Sequence, residues 1–125
     1  MTATPLDEAK YISVRSFKRD GSAVDTPVWV APMDGKLLFF TLRETYKVKR
    51  IQRNPRVQVA DCDVRGKLLG PWLDGQCVVV EDPERQARAY ATFRRKYGLI
   101  MYAGDFMSKL SGRMKRRVLF EVTLD

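Results

Sequence analysis

The chain of 125 residues contains no histidine. That absence removes the commonest general base, the usual haem ligand and most zinc-site designs. It also excludes Ser–His and Cys–His nucleophile systems. Cysteine is scarce: Cys62 and Cys77 alone occur, both inside strand-like segments, where an intracellular cysteine is more often a small buried hydrophobe than half of a disulfide. No Gly-rich nucleotide fingerprint, Walker loop or Cys–His metal spacing is present, so no metal site is expected. Apolar runs such as Val28–Ala31 and Leu37–Phe40 fall far short of the roughly 20 residues that cross a bilayer. Met1–Glu8 lacks both a basic n-region and an apolar h-region, and a cytoplasmic protein is expected. An enzyme so composed needs a bound cofactor to carry the chemistry.

What the chain has in excess is positive charge, with 23 Lys and Arg against 15 Asp and Glu and a net charge of +8. The resulting field attracts anions, whether nucleic acid, anionic lipid or a polyanionic small molecule. Hydrophobic residues make up 45% and charged residues 30%, an ordinary globular composition, and the length predicts a single domain over 1–125.

The pattern is strand-rich. Tyr11–Lys18, Ala23–Pro32 and Leu37–Leu42 read as three antiparallel strands, separated by the turns Asp20-Gly21-Ser22 and Asp34-Gly35. Thr45 is the expected N-cap of a short basic helix, with Val48 and Ile51 as its apolar face and an end near Asn54-Pro55. Arg56–Asp63 alternates as a fourth strand, and Leu68–Glu81 reads as a strand with an irregular start that becomes regular at Gln76. A longer helix follows, with Asp82 as N-cap, Pro83 at N1, Gly98 as stop, and Ala87, Tyr90, Ala91, Phe93 and Tyr97 on one face. Leu99–Leu110 suggests a looser helix. Arg116–Leu124 closes the chain as a strand with Val118, Phe120, Val122 and Leu124 on one side. The expected class is mainly β with minor α: a small barrel of about six antiparallel strands with two or three helices.

Three segments are candidate sites. In Thr45-Tyr46-Lys47-Val48-Lys49-Arg50, a polar corner after the strand Leu37–Leu42 opens a helix whose first turns carry cations. Free N–H groups and the dipole already make that end positive, so Lys47 and Lys49 oppose the dipole and call for an anion such as phosphate. A solvated helix face is the plain structural alternative. In Thr26-Pro27-Val28-Trp29-Val30, Pro27 removes a ladder donor and predicts an edge or bulge, whose backbone groups suit a planar heterocycle as well as a core strand would suit Trp29. Ser111–Arg117 is the densest basic run; it reads as a solvated turn or as a contact for an acidic ligand tail or nucleic-acid phosphates. Asp61, Asp63 and Glu81 lack the clustering of an acid–base pair, and no residue is assigned a catalytic role.

Read in order, Thr26–Val30, Leu37–Thr41 and Thr45–Val57 resemble the pyridoxamine 5'-phosphate oxidase-like split β-barrel superfamily. More narrowly, they are similar to its oxidoreductases that use the deazaflavin coenzyme F420, the flavin/deazaflavin oxidoreductase B type. The resemblance implies a homodimer with a cofactor site at the subunit interface and hydride transfer to an unsaturated organic substrate. By position, Lys47 matches the lysine that holds the cofactor phosphate, and Thr45, Tyr46 and Lys49 match its neighbours. Thr41 lines the same corner, while Pro27, Val28 and Trp29 match the strand along the tricyclic ring. Arg50 and Arg65, with Arg53, would attract the anionic tail of F420. Tyr46 stands where flavin-using oxidases carry arginine, which weakens the alternative of FMN as cofactor. The remaining alternative is a non-enzymatic barrel that binds a cofactor or nucleic acid; nucleic acid is not the expected partner.

Overall fold

The computed structural model describes residues 6, 9–42, 46–98 and 117–125; for Leu42, Tyr46, Lys47, Val48 and Arg50 it describes the backbone alone. Among the described residues there are seven strands: β1 (Tyr11–Phe17), β2 (Ala23–Trp29), β3 (Ala31–Met33), β4 (Lys36–Leu42), β5 (Arg56–Cys62), β6 (Leu73–Val79) and β7 (Arg117–Leu124). Helix α1 (Tyr46–Arg53) joins β4 to β5, and α2 (Pro83–Tyr97) joins β6 to β7. The expected helix at Leu99–Leu110 lies outside the described residues, as do Thr45 and Ser111–Arg116.

All strand pairings are antiparallel, in the order β2-β1-β5-β6-β7-β4-β3. The expected class holds, but the second strand, expected as continuous over Ala23–Pro32, is cut in two. The second strand breaks at Val30, and its two parts belong to opposite ends of the sheet. One residue therefore separates the first and last strands of the order, so the sheet must curl until its ends meet, and a mainly-β split barrel results. Nor do the opening strands form one meander: β2 pairs with β1, whereas β3 forms the Asp34-Gly35 hairpin with β4. Asp34 and Gly35 have φ of 54° and 77°, the left-handed pair that a two-residue hairpin turn requires.

Alternation along the strands builds two cores. Ile12, Val14, Leu37, Phe39, Val57, Val59, Phe120 and Val122 fill the barrel, which α1 plugs with Ile51. On the opposite side of β4 and β7, Leu38 and Leu119 pack with Ala89 and Phe93 of α2. The caps of α2 stand where the sequence predicts them. Asp82 Oδ1 accepts the Glu84 N–H at 3.3 Å, and the Gly98 N–H donates to Arg94 O at 2.8 Å. Its inward face does so in part: Tyr90, Phe93 and Tyr97 pack on the second core as expected, whereas Ala87 and Ala91 are exposed and Ala89 is buried instead. Alanine carries little burial preference, and two polar residues share the inward side because each bonds a backbone carbonyl there. Gln86 donates to Val80 O at 2.8 Å and Lys96 to Val30 O at 2.8 Å.

Two polar devices dock α2. Glu121, almost fully buried on β7, accepts from Arg85 Nε and Nη2 at 3.1 and 3.0 Å and pairs with Lys36 Nζ at 3.0 Å. At the other end of the helix, the Tyr97 hydroxyl accepts the Val30 N–H at 2.9 Å and lies 2.6 Å from Lys10 O, while Lys96 serves the carbonyls of Val30 and Ala9. A hydroxyl has one proton. With Val30 O already served by Lys96, that proton goes to Lys10. Burial pushes the Tyr97 pKa up to about 12, so the donor is retained at any physiological pH.

These devices make two expectations. Burial raises the Glu121 pKa, but hydrogen bonds from Arg85 and Lys36 outweigh it and hold the carboxyl below the usual range. Its stabilisation is therefore present above the unfolded-state pKa of about 4.3 and lost as pH falls through the lower folded-state value. Glu121→Gln should cost about 1.5–3 kcal/mol at pH 7, with the gap to the native chain closing in acid; urea unfolding at several pH values measures it. Tyr97→Phe keeps the ring but leaves the buried Val30 N–H unpaired, and should cost roughly 1–3 kcal/mol in the same assay.

Candidate functional site

The break at Val30 also creates the most distinctive feature of the surface. β3 pairs with β4 from Lys36 to Leu38 and no further. Continued past the break, that register would set Trp29 beside Phe40 and Val28 beside Thr41, yet β2 follows β1 instead of laddering to β4. The strands stay close, with the Trp29 and Phe40 rings 6.5 Å apart. A seam results: β2 and the outer half of β4 run side by side with no ladder between them among the described residues.

Pro27, Val28 and Trp29 line one side of this seam and Thr41 the other. The Trp29 indole does not itself offer a free face. It stacks on Tyr97 at 4.6 Å and 12° and meets Phe40 edge-on. What Trp29 leaves for a ligand is its strand edge. The loop after β5 closes on the same strand: Asp63 Oδ1 accepts the N–H groups of Arg65 and Lys67 at 2.9 Å each, and a Cβ placed on Gly66 would lie 3.8 Å from Pro27 Cγ. Arg65, the residue before Gly66, is exposed.

At Leu42 the seam reaches the end of β4, and Tyr46 begins α1 four residues on, within about 15 Å of chain. The first turn of α1 holds no acidic residue, so nothing in it offsets the positive helix end. Tyr46, Lys47 and Arg50 ride on this helix; Thr45 precedes it, outside the described residues. Lys49 faces elsewhere. It lines a neighbouring cleft of about 390 Å³ with Gln52, Glu81, Gln86, Leu119 and Arg117. Arg117 opposes Leu42 on the far side of β4, with its guanidinium 4.6 Å over the Phe40 ring and 5.7 Å from Tyr90.

The structure therefore sets Pro27, Val28 and Trp29 on one strand of the seam and Thr41 on the other, starts α1 four residues beyond the end of β4, leaves Arg65 in the loop after β5, and puts Lys49 in a separate cleft. Arg117 is the described member of the basic run Ser111–Arg117. Gln52 and Gln86 carry no sequence signal, since exposed-type polar residues on helices are unremarkable until a sheet is packed beside them. Elsewhere the chemistry is quiet. Cys62 and Cys77 are buried and unbonded, and burial raises both thiol pKa values, so neither is a nucleophile. Among the described residues no group of three or more Cys, Asp or Glu is placed to hold a metal, and no helix is long and apolar enough to cross a membrane.

Comparison with known proteins agrees with this architecture. The family model described as pyridoxamine 5'-phosphate oxidase matches residues 3–125. No curated protein matches the chain. Among solved structures, the conserved hypothetical protein Rv2991 of Mycobacterium tuberculosis superposes with a TM-score of 0.72 at 22% identity, over 95% of this chain and 75% of that one. The heme storage protein HutZ of Vibrio cholerae superposes with a TM-score of 0.72 at 14% identity, over 94% and 83%. An F420 reductase superposes with a TM-score of 0.61 at 18% identity, over 96% and 90%. At these identities the superpositions establish the fold alone. With the family model spanning almost the whole chain and the split barrel matching it, the chain belongs to the pyridoxamine 5'-phosphate oxidase family.

Proposed function

We propose that the protein is an F420-dependent oxidoreductase of the cytoplasm, a homodimer whose subunits share two cofactor sites. The observation that carries this reading is the unladdered β2–β4 seam ending at the acid-free, cationic start of α1. A slot with backbone donors and acceptors suits a planar heterocycle, and the helix start beside it suits the phosphate that such a cofactor carries. An F420 reductase among the fold neighbours supports the choice of cofactor.

The bound deazaflavin would supply hydride transfer to or from an unsaturated organic substrate. The chain supplies position and charge. Pro27, Val28 and the Trp29 backbone present a strand edge to the ring, and Thr41 closes the opposite wall. Lys47 grips the phosphate with Thr45 and Tyr46 beside it, and Lys49, Arg50 and Arg65 attract the anionic remainder of the cofactor. Aromatic packing of Trp29 on Tyr97 and Phe40 holds the strand edge rigid, which keeps the ring slot in shape between turnovers.

FMN is the second reading, because the family model is that of a flavin-type oxidase and the seam accepts either ring. Haem storage, the property named for one fold neighbour, lacks its usual ligand in a histidine-free chain. Nucleic-acid binding is disfavoured by the aromatic residues: Trp29, Phe39, Phe40, Phe93, Tyr97 and Phe120 are engaged with one another, whereas single-strand binders present rings for base stacking.

Titration of the purified protein with F420 and with FMN, followed by absorbance and fluorescence, should show saturable binding of F420; tight FMN binding without F420 binding would transfer the assignment to the second reading. Lys47→Ala should weaken F420 binding by roughly 1.5–3 kcal/mol, the worth of a hydrogen bond to a charged group. Unchanged affinity would remove Lys47 from the phosphate site. Sedimentation velocity should return a dimer.

A further inference from the structure

Among the described residues, the four exposed large hydrophobics all lie on one hairpin. Val64, Leu68 and Leu69 stand on the loop between β5 and β6, and Val78 on β6 is 56% exposed. Strand alternation fixes which way two of them point. Cys77 and Val79 face the barrel, so Val78 between them faces out. On β5 the barrel side belongs to Val57 and Val59, which turns Gln58, Ala60 and Cys62 outward. Leu68 is bridged to Cys62, and residues opposed across an antiparallel pair share a side. Leu68 and Val78 therefore lie on the outer face of the hairpin, together with Gln58, whose amide reaches Asp74 at 2.8 Å. Helix α1 plugs the barrel and α2 packs outside β4 and β7; with Asp74, Gln76 and Val78 exposed, the outer face of β6 is covered by neither.

The charge of this face differs from that of the whole chain. Arg15 holds the two oxygens of Asp25 at 2.7 and 3.0 Å, and the Trp72 ring lies 3.9 Å from its guanidinium carbon. Arg56 pairs with Asp125 at 2.9 Å. Counting Asp74, two arginines stand against three carboxylates, in a chain whose net charge is +8. The exposed cations Arg65 and Lys67 are confined to the loop at one end. Two molecules of such net charge repel, and they approach best where charge is locally cancelled and apolar side chains are exposed.

We propose that the outer face of the β5–β6 hairpin, with Leu68 and Val78 on it, is the surface through which two copies of this chain pair. The proposal rests on the homodimer reading above and deepens it by naming the face. Charge selects a second copy over an anionic partner. An acidic protein or an anionic membrane is drawn to cationic surface, not to a sheet face where carboxylates outnumber arginines. A two-fold contact sets the patch against itself, so apolar meets apolar while each ion pair stays within its own chain. The face is also continuous with the seam: its loop packs on Pro27 through Gly66, and a copy docked there lies alongside β2.

The test is sedimentation velocity on the full chain over a range of concentrations, with circular dichroism to confirm the fold of each variant. The native chain should be dimeric. Val78→Lys and Leu68→Lys alter exposed residues, and each should raise the dimer dissociation constant about tenfold or more, because each buries an unpartnered charge at the contact. Ala91→Lys adds the same charge at an exposed position of α2 and should leave pairing unchanged. If the native chain is dimeric and either lysine variant at the face pairs as tightly, this face is overturned while the homodimer stands. A monomeric native chain overturns both, and its pelleting with phosphatidylglycerol vesicles would assign the face to a lipid surface. Loss of pairing in Ala91→Lys as well would mark a net-charge effect and overturn the assignment.

Discussion

Everything distinctive in this barrel passes through the peptide of Val30. There the chain leaves the ladder of β1 and joins that of β4, so for one residue neither strand can satisfy its N–H and C=O. The residue is fully buried, and water is not an available partner. Buried backbone groups left unpaired cost as much as lost hydrogen bonds. Two adjacent side chains from the last turn of α2 supply the partners: the Tyr97 hydroxyl takes the N–H and Lys96 takes the carbonyl. The same pair reaches the carbonyls of Ala9 and Lys10 ahead of β1. One helix end thereby fastens the point at which both ends of a seven-stranded sheet meet.

From that fastening the rest follows. Because the chain switches ladders at Val30, β2 and the outer half of β4 lie side by side without pairing, and a seam is left between them. Because α2 must reach Val30, its length and caps are constrained, and its other end is held to β7 and the β3–β4 hairpin by Arg85, Glu121, Lys36 and Asp34. The aromatic cluster is the stiffener between these anchors. Trp29, Phe40, Phe93 and Tyr97 contact one another from β2, β4 and α2, and Arg117 lies over Phe40 from β7. A seam bordered by such packing has little freedom to collapse.

Much of this was legible beforehand, and for local reasons. The strands β5 and β7 alternate with period two, and the inward residues of β7, Val118, Phe120 and Val122, could be named directly. The Asp82-Pro83 start and Gly98 stop of α2 are written in residues whose backbone or side-chain chemistry permits little else. The cationic start of α1 was visible because a lysine that opposes a helix dipole is a local anomaly. Less legible was the inward stripe of α2, where alanines at positions 87 and 91 imitated a buried face while Gln86 and Lys96, polar by composition, turned inward to meet carbonyls that the sequence cannot locate.

By itself, then, the sequence determined what depends on neighbours a few residues away: strand periodicity, hairpin turns, caps, the edge marked by Pro27, the excess of positive charge and the lack of an imidazole. The tertiary structure decided what depends on closure. That one continuous apolar segment, Ala23–Pro32, would be cut at Val30 and shared between the two ends of a sheet is not encoded in its own residues, because the cut is stabilised by Tyr97 and Lys96, about seventy residues away in sequence. The seam exists because the chain is cut there and held by that long-range bond, and no window of sequence contains both of its partners.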